Sequence, residues 1–406
     1  MIKVSVVGDI MCEPLLLRAA KREDGSYDFS GVFARMKERF AESDYVIGNL
    51  ETPLGGAERG YTDELFAFNS PDELAGAVMA SGIDLVVTAN NHCLDRGIEG
   101  LLHTMKVLEE TGLPYTGTFR SREDRAEAAY AEAGGLKLGI VSYTYGTNYS
   151  KNRIVLDPEQ QYLINLLRPQ QEFYARKDPN ERRSLWTRLV NRALRPLSSE
   201  KRYAVKKALH MRYNTAQADN NLIEETARPY VERMQADLRR AKEKADLVLF
   251  YPHTGGQFNA EPGSFTEYIV KKAVEAGADA VVGSHPHVVQ AAKMAGSVPV
   301  FYSLGNFSMS PNSSYLLHEN LPEYGLAVHF YAEQGRIVKT TFSVLKMLEP
   351  KGAMLTVWPA DELEELPGTD REKLRNDVAQ IVAAVTGKTT DRNARIRKEY
   401  DIPAGE

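Results

Sequence analysis

Short β-branched apolar runs that end in glycine or a polar residue alternate, along most of this chain, with longer stretches of helical periodicity. Runs of the first kind suit buried strands, and the second kind suit amphipathic helices. Ile2 to Val7, Asp44 to Gly48, Ile83 to Thr88, Leu136 to Ser142, Asp246 to Tyr251, Ala280 to Val282 and Pro299 to Tyr302 read as strands. A helix is predicted from Ser70-Pro71-Asp72-Glu73, a capping residue with proline in the first turn, to Ala80. Further helices are predicted from Ile98 to Glu110 behind Gly97, from Phe265 to Ala276 and from Asp370 to Val385. Tyr324 to Tyr331 and Ile337 to Leu345 form a two-strand element around Glu333-Gln334-Gly335. The polar residues after Gly387 are expected to be mobile. This alternation predicts an α/β fold that binds ligands at the C-terminal ends of its strands.

The alternation breaks once. From 158 to 244 the sequence becomes helical, and between Arg168 and Arg212 thirteen Lys and Arg stand against four Asp and Glu. A chain of net charge −5 thus carries +9 in this segment and about −14 elsewhere. Residues 1–346 are read as one domain that carries 158–244 as a helical basic insertion, and 347–406 as a C-terminal helical extension. The insertion has three readings: a solvated basic face, a surface that draws a polyanionic or phosphorylated substrate to the site, or contact with nucleic acid or a membrane surface. The acidic net charge argues against a wholly nucleic-acid-coating protein. At 43% hydrophobic and 26% charged residues, the composition is that of a soluble globular chain. No run approaches the ~20 apolar residues of a membrane span, and Met1 to Gly8 has a strand pattern instead of a signal peptide. Cys12 and Cys93 are the only cysteines, which suits a reducing compartment, and a cytoplasmic protein is expected.

Candidate chemistry gathers where the strands end. Asp9 follows the first strand, Glu51 the second, Asn91 and His92 the third and His253 the run from Asp246. His285-Pro286-His287 follows Ala280 to Val282, and Pro286 excludes a helix there, so an extended loop can aim both imidazoles one way. Each group has an ordinary reading alone: Gly8-Asp9 and Asn90-Asn91 are turn chemistry, and a single histidine or glutamate is usually structural or solvated. Seven such groups at successive strand ends are more economically read as one pocket, and His103, His210, His318 and His329 do not share that setting. Mixed oxygen and imidazole donors suit Mn, Fe, Zn or Ni, and Cys12 reads as a small buried residue beside a helix start. The donors exceed the needs of one tetrahedral ion; two divalent ions ~3.5–4 Å apart with a bridging carboxylate accommodate them.

In chain order, Gly8-Asp9, Asn49-Leu50-Glu51, Asn90-Asn91-His92 with Asp95 and Gly97, His253, Ser284-His285-Pro286-His287 and Ser303-Leu304-Gly305-Asn306-Phe307 resemble the capsule-synthesis CapA family of poly-gamma-glutamate synthesis type. That family is similar to calcineurin-like metallophosphoesterases, and the resemblance runs from about residue 3 to about residue 310. It implies a four-layer α/β/β/α metallophosphoesterase-like sandwich with the helical segment as an insertion. It implies metal ligands Asp9, Glu51, Asn91, His253, His285 and His287, with Glu51 bridging, His285 grouped with Asn91 and His253, and His287 grouped with Asp9. His92, supported by Asp95, is implied as the acid that protonates the leaving oxygen, and Tyr145, Asn148 and Asn306 are candidate substrate-binding groups.

The chain departs from the related phosphoesterase pattern at Met11, where a histidine ligand is usual, at Glu51, where an aspartate is usual, and at Cys93, where an acidic residue is usual. The expected function is a metal-dependent hydrolase that uses a metal-activated water on an anionic substrate, a phosphoester or polyglutamate, in capsule polymer metabolism. The alternatives are a noncatalytic accessory that binds the polyanion through the basic insertion, and a nucleic-acid-associated phosphoesterase.

Overall fold

A computed structural model describes residues 1–63, 66–126, 129–172, 185–197, 201, 205–206, 208–209, 219–314, 316–350 and 353–402. In chain order its strands are β1 (Ile2–Ile10), β2 (Tyr45–Leu50), β3 (Leu85–Val87), β4 (Tyr115–Thr116), β5 (Ala129–Ala133), β6 (Leu136–Thr144), β7 (Leu247–His253), β8 (Ala280–Val282), β9 (Ala292–Ala295), β10 (Val298–Phe301), β11 (Asn306–Ser308), β12 (Tyr324–Glu333), β13 (Arg336–Leu348), β14 (Thr356–Pro359) and β15 (Tyr400–Asp401). The main helices are α1 (Pro14–Ala20), α2 (Ser30–Phe33), α3 (Met36–Phe40), α4 (Glu73–Ala80), α5 (Gly97–Thr111), α6 (Leu185–Ala193), α7 (Glu224–Lys244), α8 (Ser264–Glu275) and α9 (Arg371–Thr386).

The strands form two sheets. One has the order β14-β13-β12-β1-β2-β3-β4, with β11 paired to β1 and β15 to β13; the other has the order β5-β6-β7-β8-β10-β9. β1 to β4 run parallel, as do β6, β7, β8 and β10, so the first sheet has a parallel half ending at β4 and an antiparallel half from β12 to β14, and the second has a parallel centre edged by the antiparallel β5 and β9. Side chains alternate across each strand and separate three cores. Val4, Val6 and Ile47 face Leu138, Ile140, Leu249 and Val282 between the sheets. Val7, Ile10, Val46 and Leu50 on the opposite face of the first sheet pack with Phe29, Phe33, Met36, Leu74 and Val78. Val141, Val248, Phe250 and Val281 on the far face of the second sheet pack with Val231, Met234, Leu238, Phe265 and Ile269. The result is the expected α/β/β/α order of layers.

Helix α7, the end of segment 158–244, is thus part of the outer layer, while Ile164 and Leu166 near its start bridge to Thr118 and Thr144. Beyond residue 346, β13 continues to Leu348 and pairs with β14 and β15, and α9 sends Leu374, Val378, Ile381 and Val385 into the core between the sheets. The tail was expected to be mobile after Gly387. Instead Tyr400–Asp401 pairs with β13, and the Glu399 carboxylate accepts hydrogen bonds from Lys3, Tyr331 and Thr341.

Two glycines bring the site loops within reach of each other. A Cβ on Gly8 would lie 2.0 Å from the Gly305 carbonyl oxygen, and one on Gly283 would lie 2.0 Å from that of Tyr302. Asp9 N donates to Gly305 O at 3.1 Å, so a side chain at residue 8 would wedge the first ligand away from its neighbouring strand. Gly8→Ala is expected to lower unfolding stability by about 3 kcal/mol, the upper part of the range for overpacked sites. Urea denaturation measures this, and a loss below about 1 kcal/mol would show that the strands part easily.

Candidate metal centre

The C-terminal ends of the parallel strands in both sheets converge on one buried cluster. Asp9 is the last residue but one of β1, Glu51 directly follows β2, Asn91, His92 and Asp95 lie in the turn after β3, and His253 ends β7. His285 and His287 lie in the loop after β8. One donor atom from each of Glu51, His253 and His285 falls within 4.8 Å of the others, and the same holds for Asp9, Glu51 and His287. Glu51 is common to both groups.

Asp9 and Glu51 are fully buried. Asp9 is well supplied: Oδ1 accepts from Asn49 Nδ2 at 2.7 Å, Oδ2 accepts from His285 N at 3.2 Å, and His287 Nδ1 lies 3.3 Å from Oδ2. Burial alone would raise the Asp9 carboxyl, but His287, His253 and the Asn49 amide together hold it below the usual carboxylate range. Glu51 has no such support. Among the described residues neither carboxylate oxygen has a hydrogen-bond partner, and burial, with Asp9 beside it, pushes this carboxyl well above its ordinary range.

The histidines present lone pairs. Burial, aided by the neighbouring His287 and His92 and opposed by Asp9, lowers His253 to about 3, and burial pushes His285 in the same direction. Both are therefore neutral at physiological pH, the form that binds a cation. His253 Nε2 lies 2.7 Å from Asn91 Oδ1 and 3.2 Å from Glu51 Oε1. An amide oxygen only accepts, so the Nε2 hydrogen points at Asn91, and Nδ1 accepts from Ser284 Oγ at 2.9 Å. A cation in place of that hydrogen would take both atoms as ligands, and the Ser284 hydroxyl can reverse its role to accept from Nδ1–H. His285 Nδ1 is buried and unpartnered. Two unpartnered carboxylate oxygens, an unpartnered imidazole nitrogen and the Asn91–His253 pair are the donors that one or two divalent ions require, so the residues present fit the group.

Backbone conformation aims the two loop histidines. The expected extended His-Pro-His is not what forms: His285 has φ 99° and His287 φ 57°, both in the left-handed region. Such values cost non-glycine residues of order 1–3 kcal/mol each and persist where the surroundings impose them. Here Pro286 O accepts from Phe258 N at 2.7 Å, and Asn306 Nδ2 donates to His287 O at 3.0 Å. Asn306 Oδ1 also lies 2.9 Å from His287 Nδ1, and its amide donates to Pro322 O, so Asn306 holds His287 from behind.

His92 Nδ1 lies 2.5 Å from Asp95 Oδ2, which requires the proton on Nδ1 and leaves Nε2 as the nitrogen that exchanges protons. Phe68 packs against this ring at 4.4 Å between centroids and donates its backbone N–H to the same Asp95 oxygen. Asn148 accepts from Asn91 Nδ2 at 2.9 Å and donates to Asp95 Oδ1 at 3.2 Å, coupling the His92–Asp95 pair to Asn91. Tyr145 places its ring 4.6 Å from His285 and stacks at 6.3 Å over His253. All eleven residues singled out from the sequence therefore lie in one contact network. The sequence reading missed Asn49, Asn90 and Ser284 as orienting groups. Asn49 pairs with Asp9 across the β1/β2 register, and Asn90 donates to Asn49 Oδ1 and Leu50 O. Met11 and Cys93, two of the departures, turn away into apolar clusters.

A four-layer α/β/β/α sandwich with carboxylate, amide and imidazole groups where the strand ends meet defines an α/β protein with a candidate metal centre. More narrowly, the chain belongs to the bacterial capsule synthesis protein family PGA_cap, whose model matches residues 3–310. It is 25% identical over 314 residues to the capsule biosynthesis protein CapA of Bacillus anthracis, an alignment that covers 75% of this chain and 59% of that one. It is 26% identical over 288 residues to an uncharacterized protein, y4sH, of Sinorhizobium fredii, covering 68% and 61%. The chain thus spans about three fifths of the length of these relatives. Among solved structures, a 5'-nucleotidase from Candida albicans aligns at TM-score 0.38 and 10% identity, over 84% of this chain and 52% of that one.

Glu51→Gln separates a metal centre from a merely buried acid. Without metal, the variant is expected to melt at or above the wild-type temperature, because it replaces a buried carboxyl that has no hydrogen-bond partner among the described residues. Added Mn is expected to raise the melting temperature of the wild type and to leave Glu51→Gln unmoved. An equal shift in both proteins would place the ion elsewhere.

Proposed function

We propose that this chain is a cytoplasmic metal-dependent hydrolase, with a phosphoester or polyglutamate as its anionic substrate, acting in capsule polymer metabolism. The observation that carries the reading is Glu51, a fully buried carboxylate with two unpartnered oxygens shared by two donor groups. Asp9, Glu51 and His287 would hold one divalent ion, and Glu51, Asn91, His253 and His285 a second. Bound there, the ions would supply Lewis acidity toward the substrate oxygen and bring the ionisation of a water down to about pH 7. The family description supports placement in capsule synthesis, and two free, buried thiols accord with a reducing cytoplasm.

The chain's own residues do the remaining work. Asp95 fixes the His92 tautomer, so a proton held at Nε2 can pass to the leaving oxygen of a phosphoester as its bond to phosphorus breaks, or to the leaving nitrogen of a γ-glutamyl amide as its bond to the carbonyl carbon breaks. Asn148 braces both Asp95 and Asn91, keeping the proton donor and the ligand turn in one register. Tyr145 walls His253 and His285, limiting water around the imidazoles. Arg168, itself buried, lies over the Tyr145 ring at 5.5 Å and adds positive potential behind that wall.

Asn91→Ala and His285→Ala are each expected to abolish Mn-dependent phosphoester turnover. Unchanged rates in both would remove the catalytic claim. His92→Ala is expected to lower kcat on an alkyl phosphoester by ~10²–10⁴ while metal content stays constant. The loss should be much smaller on a 4-nitrophenyl ester, whose leaving group needs no proton. Equal losses on the two esters would assign His92 a structural role.

A further inference from the structure

Within the basic segment, the function leaves helix α6 unexplained. Its nine residues, Leu185–Ala193, are followed by a turn over 194–196, in which Leu194 N donates to Val190 O and Arg195 N to Arg192 O. At the angular spacing of a helix, Leu189, Ala193, Trp186 and Val190 fall on one arc, and Asn191, Arg195, Arg188 and Arg192 fall on the opposite one. Residues 185–197 contain three arginines and no aspartate or glutamate. Trp186 is 62% exposed and Leu189 63% exposed, one helical turn apart, and Leu197 just beyond is also exposed. Arg188, Arg192 and Arg195 are exposed along the other side.

We propose that α6 docks on the surface of an anionic lipid bilayer, with Trp186 and Leu189 in the headgroup and acyl boundary and Arg188, Arg192 and Arg195 paired with lipid phosphates. Two observations select this partner. The charge on the helix is wholly positive, complementary to an anionic surface. The exposed members of the apolar arc, Trp186 and Leu189, are side chains that partition into an interface, while Val190 at the arc's edge is buried against the protein, and the arginine stems on the opposite arc let their heads reach the lipid phosphates. A soluble polyanion would pair with the arginines and leave Trp186 and Leu189 in water. No helix among the described residues is long and apolar enough to cross a membrane, so this contact would be peripheral. It does not depend on the metal centre, since none of these residues belongs to that network.

The test uses the full chain carrying Trp358→Phe, which leaves Trp186 as the one remaining tryptophan. Flotation with vesicles and the emission maximum are read for phosphatidylcholine alone and for phosphatidylcholine mixed with phosphatidylglycerol. Flotation and a blue shift with the mixed vesicles only are expected. Replacing Trp186 and Leu189 by serine should weaken partitioning by roughly tenfold or more per side chain, while Trp186→Phe in the otherwise native chain retains flotation. Changing Arg188, Arg192 and Arg195 to glutamine should remove the preference for the anionic vesicles. The proposal is overturned if the wild type does not float, if flotation ignores the serine changes, or if soluble polyglutamate alone produces the blue shift.

Discussion

Two carboxylates, Asp9 and Glu51, are buried together at the meeting edge of two sheets, and the rest of the site is organised around keeping them there. A buried carboxylate costs several kcal/mol unless it is paired. Asp9 is stabilised by Asn49, the His285 backbone and His287, whereas both oxygens of Glu51, shared by the two donor groups, lack a hydrogen-bond partner among the described residues. A fold that spent stability on this arrangement without a cation would be discarding it. The asymmetry between the two acids is thus the clearest physical sign of what the site holds.

The architecture supplies that arrangement through topology. Parallel strands from both sheets deliver their C-terminal loops to one place, so donor groups far apart in the chain meet at the seam between sheets. The seam tolerates no extra atoms at Gly8 or Gly283, where neighbouring carbonyls approach too closely for a side chain. It also twists His285 and His287 into left-handed conformations, held by Phe258 and Asn306. Behind these ligands, Asn49, Ser284 and Asn148 fix tautomers and orientations. Near-complete burial of the ligand atoms strengthens every electrostatic term among them.

The parts legible in the sequence were those written locally. β-branched runs ending in Gly-Asp, Asn-x-Glu or Asn-Asn-His announced strands with clustered polar groups at their ends, and the ordered motifs pointed to the family. What escaped was set by contacts between distant segments. β5, β9, β11, β14 and β15 are short strands that exist because a neighbouring strand needs a partner, and none carries a distinctive apolar run. Asn49 looked like part of a motif; only the β1/β2 register shows it aimed at Asp9. The proline in His285-Pro286-His287 favours an extended preceding residue, yet close packing against the Asp9 carboxylate and the Phe258 backbone overrides that preference. Arg168 counted as part of a basic surface, but it is buried against Phe265 and Tyr145. Arg182 and Arg183, also counted there, lie outside the described residues.

The central claim is that Glu51 sits between two cation positions. Anomalous diffraction from crystals grown with Mn tests it most directly, because it locates ions without reference to activity. The account predicts two anomalous peaks flanking the Glu51 carboxylate, one beside Asp9 and His287 and the other beside Asn91, His253 and His285. Density at neither position, with Glu51 still bare, would contradict it.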